Sequence, residues 1–178
     1  MLESFQTEVK QDLAREGRVL QVVQYPHKSL TLKSAVVMSS IPHDEFLQKL
    51  ILDMTATLKA YRAVGLSAIQ VGVPLKLFMM QDDYGDMYTV INPQVVESSG
   101  ESYQNEGCLS LMGAYTRVPR AESVTAKFFN EKGEFVTQTF TGLLARCFLH
   151  EADHLEGIMF LERMTSLQKK SMLKKLKR

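Results

Sequence analysis

Cysteines, long apolar runs and excess charge are all scarce in this sequence, and each scarcity argues against a class of protein. Only two cysteines are present, Cys108 and Cys147; they could form one disulfide, but a cytosolic chain more often keeps such residues as thiols. No apolar run approaches the roughly 18–20 residues that a membrane span needs. The formal net charge of +1 produces no global field that would attract DNA or a membrane surface.

The N-terminal segment contains several acidic residues and lacks the apolar stretch of a secretory leader. We therefore expect no secretory signal and no transit peptide, since transit peptides are poor in acidic residues. Apolar residues recur at helical spacing in this segment, and Gly17 could end such a helix. The sequence predicts a short helix over residues 2–15, within an N-terminal extension of residues 1–18 that precedes the main domain, residues 19–178.

Two helices dominate the pattern of the main domain. Apolar residues from Phe46 to Tyr61 recur at helical spacing and predict an amphipathic helix over residues 43–61. Residues 143–155 are apolar nearly all round, which predicts a buried helix with Thr141 as its N-cap. A last helix, rich in lysine, is predicted to start near Ser166.

Between the helices the periodicity changes to that of strands. Strands are predicted at residues 19–23, 75–80, 87–91, 123–129 and 134–140. The pair Asn92-Pro93 is expected to break the chain before residues 94–96. Together these elements predict a single α+β domain, with antiparallel or mixed strands packed around the central buried helix.

The buried helix carries the segment His150-Glu151-Ala152-Asp153-His154, which has the form HExxH. Residues four apart lie on one face of a helix, so both imidazoles can reach a single metal ion. Glu151 lies beside them, where it can take a proton from water. On an exposed helix the same pattern would be a solvated charge pattern. In a buried helix, two histidines and two acids would be costly without a metal or partners, which favours a metal site.

A catalytic zinc-like site needs a third protein ligand and one open position. Cys147 is near in sequence, but it is seven residues from His154, about 10 Å along a helix at 1.5 Å per residue. Cys147 therefore favours a place in the core, and His27 and His43 are expected at the surface. Cys108 remains a good candidate, with Asp and Glu residues elsewhere still open as ligands.

Three segments together resemble the peptide deformylase family: 65–70 (GLSAIQ), 106–110 (EGCLS) and 150–154 (HEADH). They occur in the family's order and at suitable separations, and the similarity extends from about Val19 to the C-terminus. Deformylases remove the N-formyl group from the initiator methionine of new bacterial or organellar polypeptides. The resemblance implies a bacterial cytoplasmic enzyme, with an organellar origin as the alternative.

The resemblance also implies the roles of individual residues. The metal ligands would be Cys108, His150 and His154, with water in the fourth position. Glu151 would accept a proton from that water and return it to the leaving amine. The oxyanion would be bound by the side-chain amide of Gln70 and the backbone N–H of Leu109.

Substrate contacts are implied in the same way. The backbone around Val64 and Gly65, with Gly107, would hydrogen-bond the peptide as though adding a strand. The methionine side chain would enter a pocket with walls from Val64, Leu143 and Cys147, and Glu106 near its rim. Gly65 could instead serve only a turn, and Leu143 only the core.

Two arguments differ on the metal. Ligand softness alone suits zinc, whereas the resemblance implies Fe(II) in the cell, with Zn(II), Ni(II) or Co(II) in a purified sample. The basic C-terminal helix suggests contact with the ribosome, although a run of lysines is more often a solvated helix face.

The sequence departs from the family pattern at Ala63, where glycine is usual, at Ser67, where alanine is usual, and at Leu149, where glutamine is usual. If the backbone at residue 63 needs a positive φ, alanine is unfavourable there. These departures leave two rivals open: a catalytically weak deformylase-like protein that binds nascent or formylated peptides, and a zincin-type peptidase, which shares HExxH but takes its third ligand from His or Glu.

Overall fold

The structure is a computed structural model and describes residues 16–176. The helix predicted over residues 2–15 lies outside the described residues. Within residues 16–176, no helix combines the length and the apolar character that crossing a membrane requires.

Three α-helices and two antiparallel sheets form the described chain. The helices are α1 (Glu45–Tyr61), α2 (Gly142–Leu155) and α3 (Ser166–Leu176). The strands are β1 (Gly65–Ser67), β2 (Leu77–Gln81), β3 (Met87–Ser99), β4 (Ser102–Glu106), β5 (Thr116–Arg120), β6 (Ser123–Phe129) and β7 (Phe135–Thr141). A five-stranded sheet has the order β1-β2-β3-β6-β7, and β4 pairs with β5 in a two-stranded sheet. The predicted α+β class and the C-terminal helix are confirmed.

Helix α2 packs against the larger sheet and is the centre of the fold. Phe148 is fully buried; its ring lies edge-on to Phe78 at 5.1 Å and stacks on Phe140 at 5.5 Å. Thr141 is the N-cap residue, as predicted, but its side chain makes no capping hydrogen bond. After the helix, Gly157 has a φ of +72°, and a Cβ there would lie 2.4 Å from the carbonyl oxygen of Thr31. Only glycine fits that turn.

Helix α1 confirms the amphipathic prediction, with two corrections to its apolar face. Its start is capped by Asp44, whose side chain accepts a hydrogen bond from the Leu47 N–H at 2.9 Å. Phe46 is 61% exposed and Tyr61 39% exposed, so neither belongs to the core. Both lie at the ends of the helix, which spans Glu45–Tyr61.

Two strand predictions were wrong. Residues 19–23 form no strand, because their backbone is satisfied elsewhere: the N–H of Leu20 donates to Thr57 Oγ1 and that of Val23 to the Gln70 carbonyl oxygen, both at 2.8 Å. Asn92 and Pro93 do not end β3. Asn92 has a φ of 51°, and the register against β6 shifts between residues 91 and 94, which accommodates a proline that cannot donate to the ladder.

Candidate active site

An open cleft of about 530 Å³ lies between β1, the N-terminal half of α2 and the segment that follows β4. Its lining includes eleven of the twelve sequence-predicted site residues: Val64, Gly65, Gln70, Glu106, Gly107, Cys108, Leu109, Leu143, Cys147, His150 and Glu151. The twelfth, His154, is fully buried. The fold therefore brings the predicted residues from three distant parts of the chain to one place.

Cys108, His150 and His154 converge at the floor of this cleft. One potential ligand atom from each lies within 4.8 Å of the others, and Cys108 Sγ is 3.3 Å from His154 Nε2. The two imidazoles project from one face of α2, with ring centroids 4.9 Å apart. A thiolate and two imidazoles, with one side open to the cleft, are the donor set of a catalytic divalent metal site. The residues present therefore fit such a metal.

Cys147 does not join this group. Its side chain is buried, and its Sγ would lie 2.5 Å from a Cβ placed on Gly65. Burial raises the pKa of the Cys147 thiol well above its ordinary value, and the charges of Glu151 and Glu106 raise it further. A neutral thiol in the cleft wall agrees with the prediction that Cys147 is not a ligand.

Glu106 is in the cleft lining, but both of its carboxylate oxygens are already engaged. Oε2 faces His150 Nδ1 at 3.0 Å, while Oε1 accepts from Arg120 Nε at 2.8 Å and Arg146 Nη1 at 2.7 Å. Burial alone would raise the pKa of Glu106, but hydrogen bonds from His150 and Arg120 outweigh it and lower that pKa to about 2. Because Glu106 holds Nδ1, the Nε2 atom of His150 is the one left for a metal.

Asp153, inside the HExxH segment, is part of the same buried network. Its carboxylate accepts from Arg120 Nη1 at 2.6 Å and from Arg163 Nη2 at 2.5 Å. Arg120 is only 7% exposed, so this ion pair lies in the interior. Arg120 thus bridges Glu106 and Asp153 and couples the EGCLS segment to α2.

Glu151 is 3% exposed and lies beside the three candidate ligands. Its Oε2 accepts a hydrogen bond from Ser67 Oγ at 2.5 Å, and its Oε1 lies next to Gly65, 2.6 Å from where a Cβ would be. Burial raises the pKa of Glu151, against lowering by the charge of His150 and the Ser67 hydrogen bond. A carboxylate with a raised pKa suits proton transfer near neutral pH.

Gln70 is 1% exposed and its amide has a defined orientation. Oε1 accepts from the backbone N–H of Ser67 at 2.8 Å, so Nε2 points the other way, towards Cys108 Sγ at 3.4 Å and Ser110 Oγ at 3.2 Å. Leu109 begins the short 3-10 turn Leu109–Leu111, directly after Cys108. The first N–H groups of a helical turn have no partner within it, which suits Leu109 as a donor to substrate.

Two glycines of the cleft, Gly65 and Gly107, are required by close contacts. A Cβ on Gly65 would lie 2.5 Å from Cys147 Sγ, and one on Gly107 would lie 2.5 Å from Cε1 of Tyr115. Leu143 is 46% exposed, so it is a rim residue and not a core residue. Gly65 and Gly107 leave the backbone bare on both sides of the cleft.

Several cleft residues were missed by sequence reasoning. They are Tyr61, Arg62, Asn105, Met112, Gly113, Tyr115 and Arg146. None of them belongs to a motif with a chemical reason, and only the fold brings them together. Arg146 carried the one usable signal: a charged residue within the helix that was predicted to be buried.

The structure explains why alanine is tolerated at position 63, where the family pattern has glycine. Among the described residues, the non-glycine positions with positive φ are Arg62 and Asn92, so Ala63 needs no glycine-like backbone. Leu149 packs at the edge of the apolar cluster under α2. Neither substitution alters the candidate metal ligands or Glu151.

Comparison with known proteins agrees with this geometry. The family model for polypeptide deformylase matches residues 19–170. The chain belongs to the polypeptide deformylase family. The peptide deformylase of Neisseria meningitidis serogroup C (strain FAM18) is 41% identical over 162 residues, which cover 90% of this chain and 95% of that protein.

Solved structures of the family have the same fold. A peptide deformylase from Legionella pneumophila is 37% identical, with a TM-score of 0.84 over 89% of this chain and 94% of that chain. The Met-Ala-Ser-bound class I type b peptide deformylase from Acinetobacter baumannii is 31% identical, with a TM-score of 0.77 over 82% of this chain and 98% of that chain. The predicted family and the predicted enzyme class are confirmed.

Proposed function

We propose that this deformylase-family chain hydrolyses the formamide bond of N-formyl-methionyl peptides and releases formate and a free N-terminal amine. One observation carries the proposal: Cys108, His150 and His154 converge in an open cleft with the Glu151 carboxylate beside them. A ligand set, a base and a substrate cleft in contact with one another are the parts that metal-assisted amide hydrolysis needs.

Cys108, His150 and His154 would hold one divalent metal ion. When bound, the ion would polarise the formyl carbonyl and lower the pKa of a water molecule. We favour Fe(II) in the cell by family resemblance, with Zn(II), Ni(II) or Co(II) in a purified sample. The arginines that surround Glu106 support the site, because they keep that carboxylate charged and so keep His150 oriented.

The protein's own groups account for the proton transfers. Glu151 takes a proton from the attacking water as its oxygen bonds to the formyl carbon, and then gives that proton to the departing amine as the C–N bond breaks. The negative charge on the formyl oxygen is met by the Nε2–H of Gln70 and the backbone N–H of Leu109. The Nε2 orientation of Gln70 supports this role, since its Oε1 is held by Ser67.

The peptide would lie along the bare backbone of Gly65 and Gly107, which line the cleft. Val64, Leu143 and Cys147 would contact the methionine side chain. The binding of Met-Ala-Ser by the Acinetobacter relative supports a peptide that begins with methionine. Glu106 would act below this pocket, through His150, because its oxygens are occupied.

Neither of the two rival functions explains the site as well as deformylation does. Ala63 and Leu149 suggested the first rival, a catalytically weak protein that only binds formylated peptides. Both residues fit the fold without disturbing the candidate ligands. A zincin would take its third ligand from His or Glu, whereas the third ligand atom beside the two histidines is a cysteine sulfur.

Contact with the ribosome is a separate part of the proposal, for a bacterial cytoplasmic protein. Helix α3 contains Lys169, Lys170, Lys174 and Lys175, and Lys177 and Arg178 follow it in the sequence. Phosphate groups of RNA would bind such a helix in a salt-dependent way. Removal of residues 166–178 should abolish co-sedimentation with ribosomes at low salt; unchanged co-sedimentation of a folded truncated protein would contradict this contact.

The test of the reaction compares three peptides with the metal-loaded protein: formyl-Met-Ala-Ser, acetyl-Met-Ala-Ser and unmodified Met-Ala-Ser. We expect release of formate from the first peptide and no cleavage of the others. Binding of the formylated peptide without turnover would favour the catalytically weak peptide-binding protein. Cleavage of internal bonds in longer, unformylated peptides would favour the peptidase.

A further inference from the structure

Ser67 contacts the two side chains that the proposed reaction uses besides the metal ligands, Glu151 and Gln70. It is fully buried at the end of β1. Its Oγ donates to Oε2 of Glu151 at 2.5 Å, and its backbone N–H donates to Oε1 of Gln70 at 2.8 Å. One residue thus contacts the proton-transfer group through its side chain and the oxyanion donor through its backbone.

The hydroxyl contact distinguishes the two oxygens of Glu151. A serine hydroxyl carries a single hydrogen. The carboxylate oxygen at 2.5 Å is a better acceptor for it than the carbonyl oxygen of Glu151, which lies 3.2 Å away. Oε2 is therefore engaged in the interior, while Oε1 lies beside Gly65 in the cleft wall.

We propose that Ser67 is a positioning residue: its hydroxyl holds Oε2 of Glu151 so that Oε1 faces the cleft and exchanges the proton with substrate. Ser67 itself touches neither the substrate nor the reacting atoms. The inference rests on the proposed deformylase activity.

The side-chain and backbone roles of Ser67 can be separated. Ser67 is also the N-cap residue of the 3-10 turn Ala68–Val71, which includes Gln70. Alanine at position 67 keeps the backbone N–H that orients the Gln70 amide. It removes the hydroxyl, which contacts Glu151 and also pairs with the backbone of Gln70 in the capping box of this turn. Ser34 provides the matched control, since it is a buried serine whose Oγ has no hydrogen-bond partner among the described residues.

The experiment compares the metal-loaded wild-type protein with Ser67→Ala and Ser34→Ala on formyl-Met-Ala-Ser. Because a hydrogen bond to a charged group is lost, we expect Ser67→Ala to lower kcat about tenfold, with KM changed less than about twofold. Metal content should stay that of the wild type, and the melting temperature should fall by a few degrees, because a buried carboxylate oxygen loses its donor. Ser34→Ala should leave kcat and KM unchanged.

A second readout does not depend on activity. Crystal structures of the wild type and of Ser67→Ala should show the Ser67 Oγ–Glu151 Oε2 contact in the first and a rotated carboxylate in the second. An unchanged carboxylate orientation would overturn the inference. So would a wild-type structure without the contact, which keeps the inference testable if the variant does not fold.

The kinetic outcomes separate this inference from the proposed function. Wild-type turnover matched by Ser67→Ala would overturn the positioning role alone. A loss in Ser67→Ala that comes with lost metal, or that Ser34→Ala shares, would assign Ser67 a structural role and would also overturn it. No turnover by the metal-loaded wild type would overturn the proposed function, and the positioning role with it.

Discussion

Glu106 Oε2 faces His150 Nδ1 at 3.0 Å, and this contact joins two segments that are 44 residues apart in the sequence. The carboxylate is also bound by Arg120 and Arg146, so it is charged, fixed and almost inaccessible to solvent. A histidine that binds a metal commonly donates its other N–H to a carboxylate of this kind. The contact therefore leads to predictions about both the metal and the stability of the fold.

Substitution Glu106→Gln should weaken metal binding about 10- to 100-fold, because His150 loses a charged partner that orients it and increases its basicity. Competition with a chromophoric chelator measures the affinity. Glu122→Gln, at an exposed position, is the matched control and should bind metal like the wild type. Equal affinity in all three proteins would show that Glu106 does not support the ligand.

Glu106 also predicts how stability depends on pH. Its pKa is about 2 in the folded protein against 4.5 as the ordinary value, so its contribution is fully present above about pH 4.5 and is lost as the pH falls towards 2. The difference corresponds to about 3 kcal/mol of unfolding free energy. Denaturant unfolding between pH 5 and pH 2 should show this decline, and Glu106→Gln should show a smaller one. Parallel declines in the two proteins would contradict the shift.

Substitution Gln70→Leu should lower kcat about 10²- to 10³-fold, since one donor to the oxyanion is removed from a preorganised position. KM should change little, because this donor acts mainly on charge that develops in the transition state. Steady-state kinetics with formyl-Met-Ala-Ser measure both values, with Gln138→Leu on β7 as the control. A rise in KM alone would assign Gln70 to ground-state binding.

Substitution Gly65→Ala should reduce both stability and activity. The added Cβ would lie 2.5 Å from Cys147 Sγ and 2.6 Å from Glu151 Oε1. Combination with Cys147→Ala removes the first clash and keeps the second, so the melting temperature should partly recover while kcat stays low. Recovery of kcat in the double variant would show that the methyl group does not disturb Glu151.

The local part of this architecture was predictable from the sequence. HExxH on an apolar helix predicted the two histidines on one face of α2 with Glu151 beside them, because a helix relates residues four apart by geometry alone. The position of Cys108 beside them rested on elimination and on resemblance to a family. Strand β3 shows the limit: Asn92 and Pro93 read as a break, but a bulge keeps the strand continuous.

The non-local part was not predictable. Arg120 and Arg146 contact Glu106 from 14 and 40 residues away. Arg146 lies in a helix that was predicted to be buried, but the sequence around neither arginine identifies Glu106 as its partner. In the sequence, Ser67 was noted only as a departure from the family pattern, and no role was predicted for it. Its contact with Glu151, 84 residues away, depends on how β1 packs against α2.

The most direct test of the account is formate release from formyl-Met-Ala-Ser, measured side by side for the wild-type protein and Glu151→Ala at equal metal content. The account predicts turnover by the wild type and a loss of about 10²- to 10⁴-fold in the variant, the usual contribution of a positioned acid/base. No formate from a wild-type protein that holds one metal ion per chain would contradict the proposed reaction. Equal rates in the two proteins would contradict the assignment of Glu151 as the group that moves the proton.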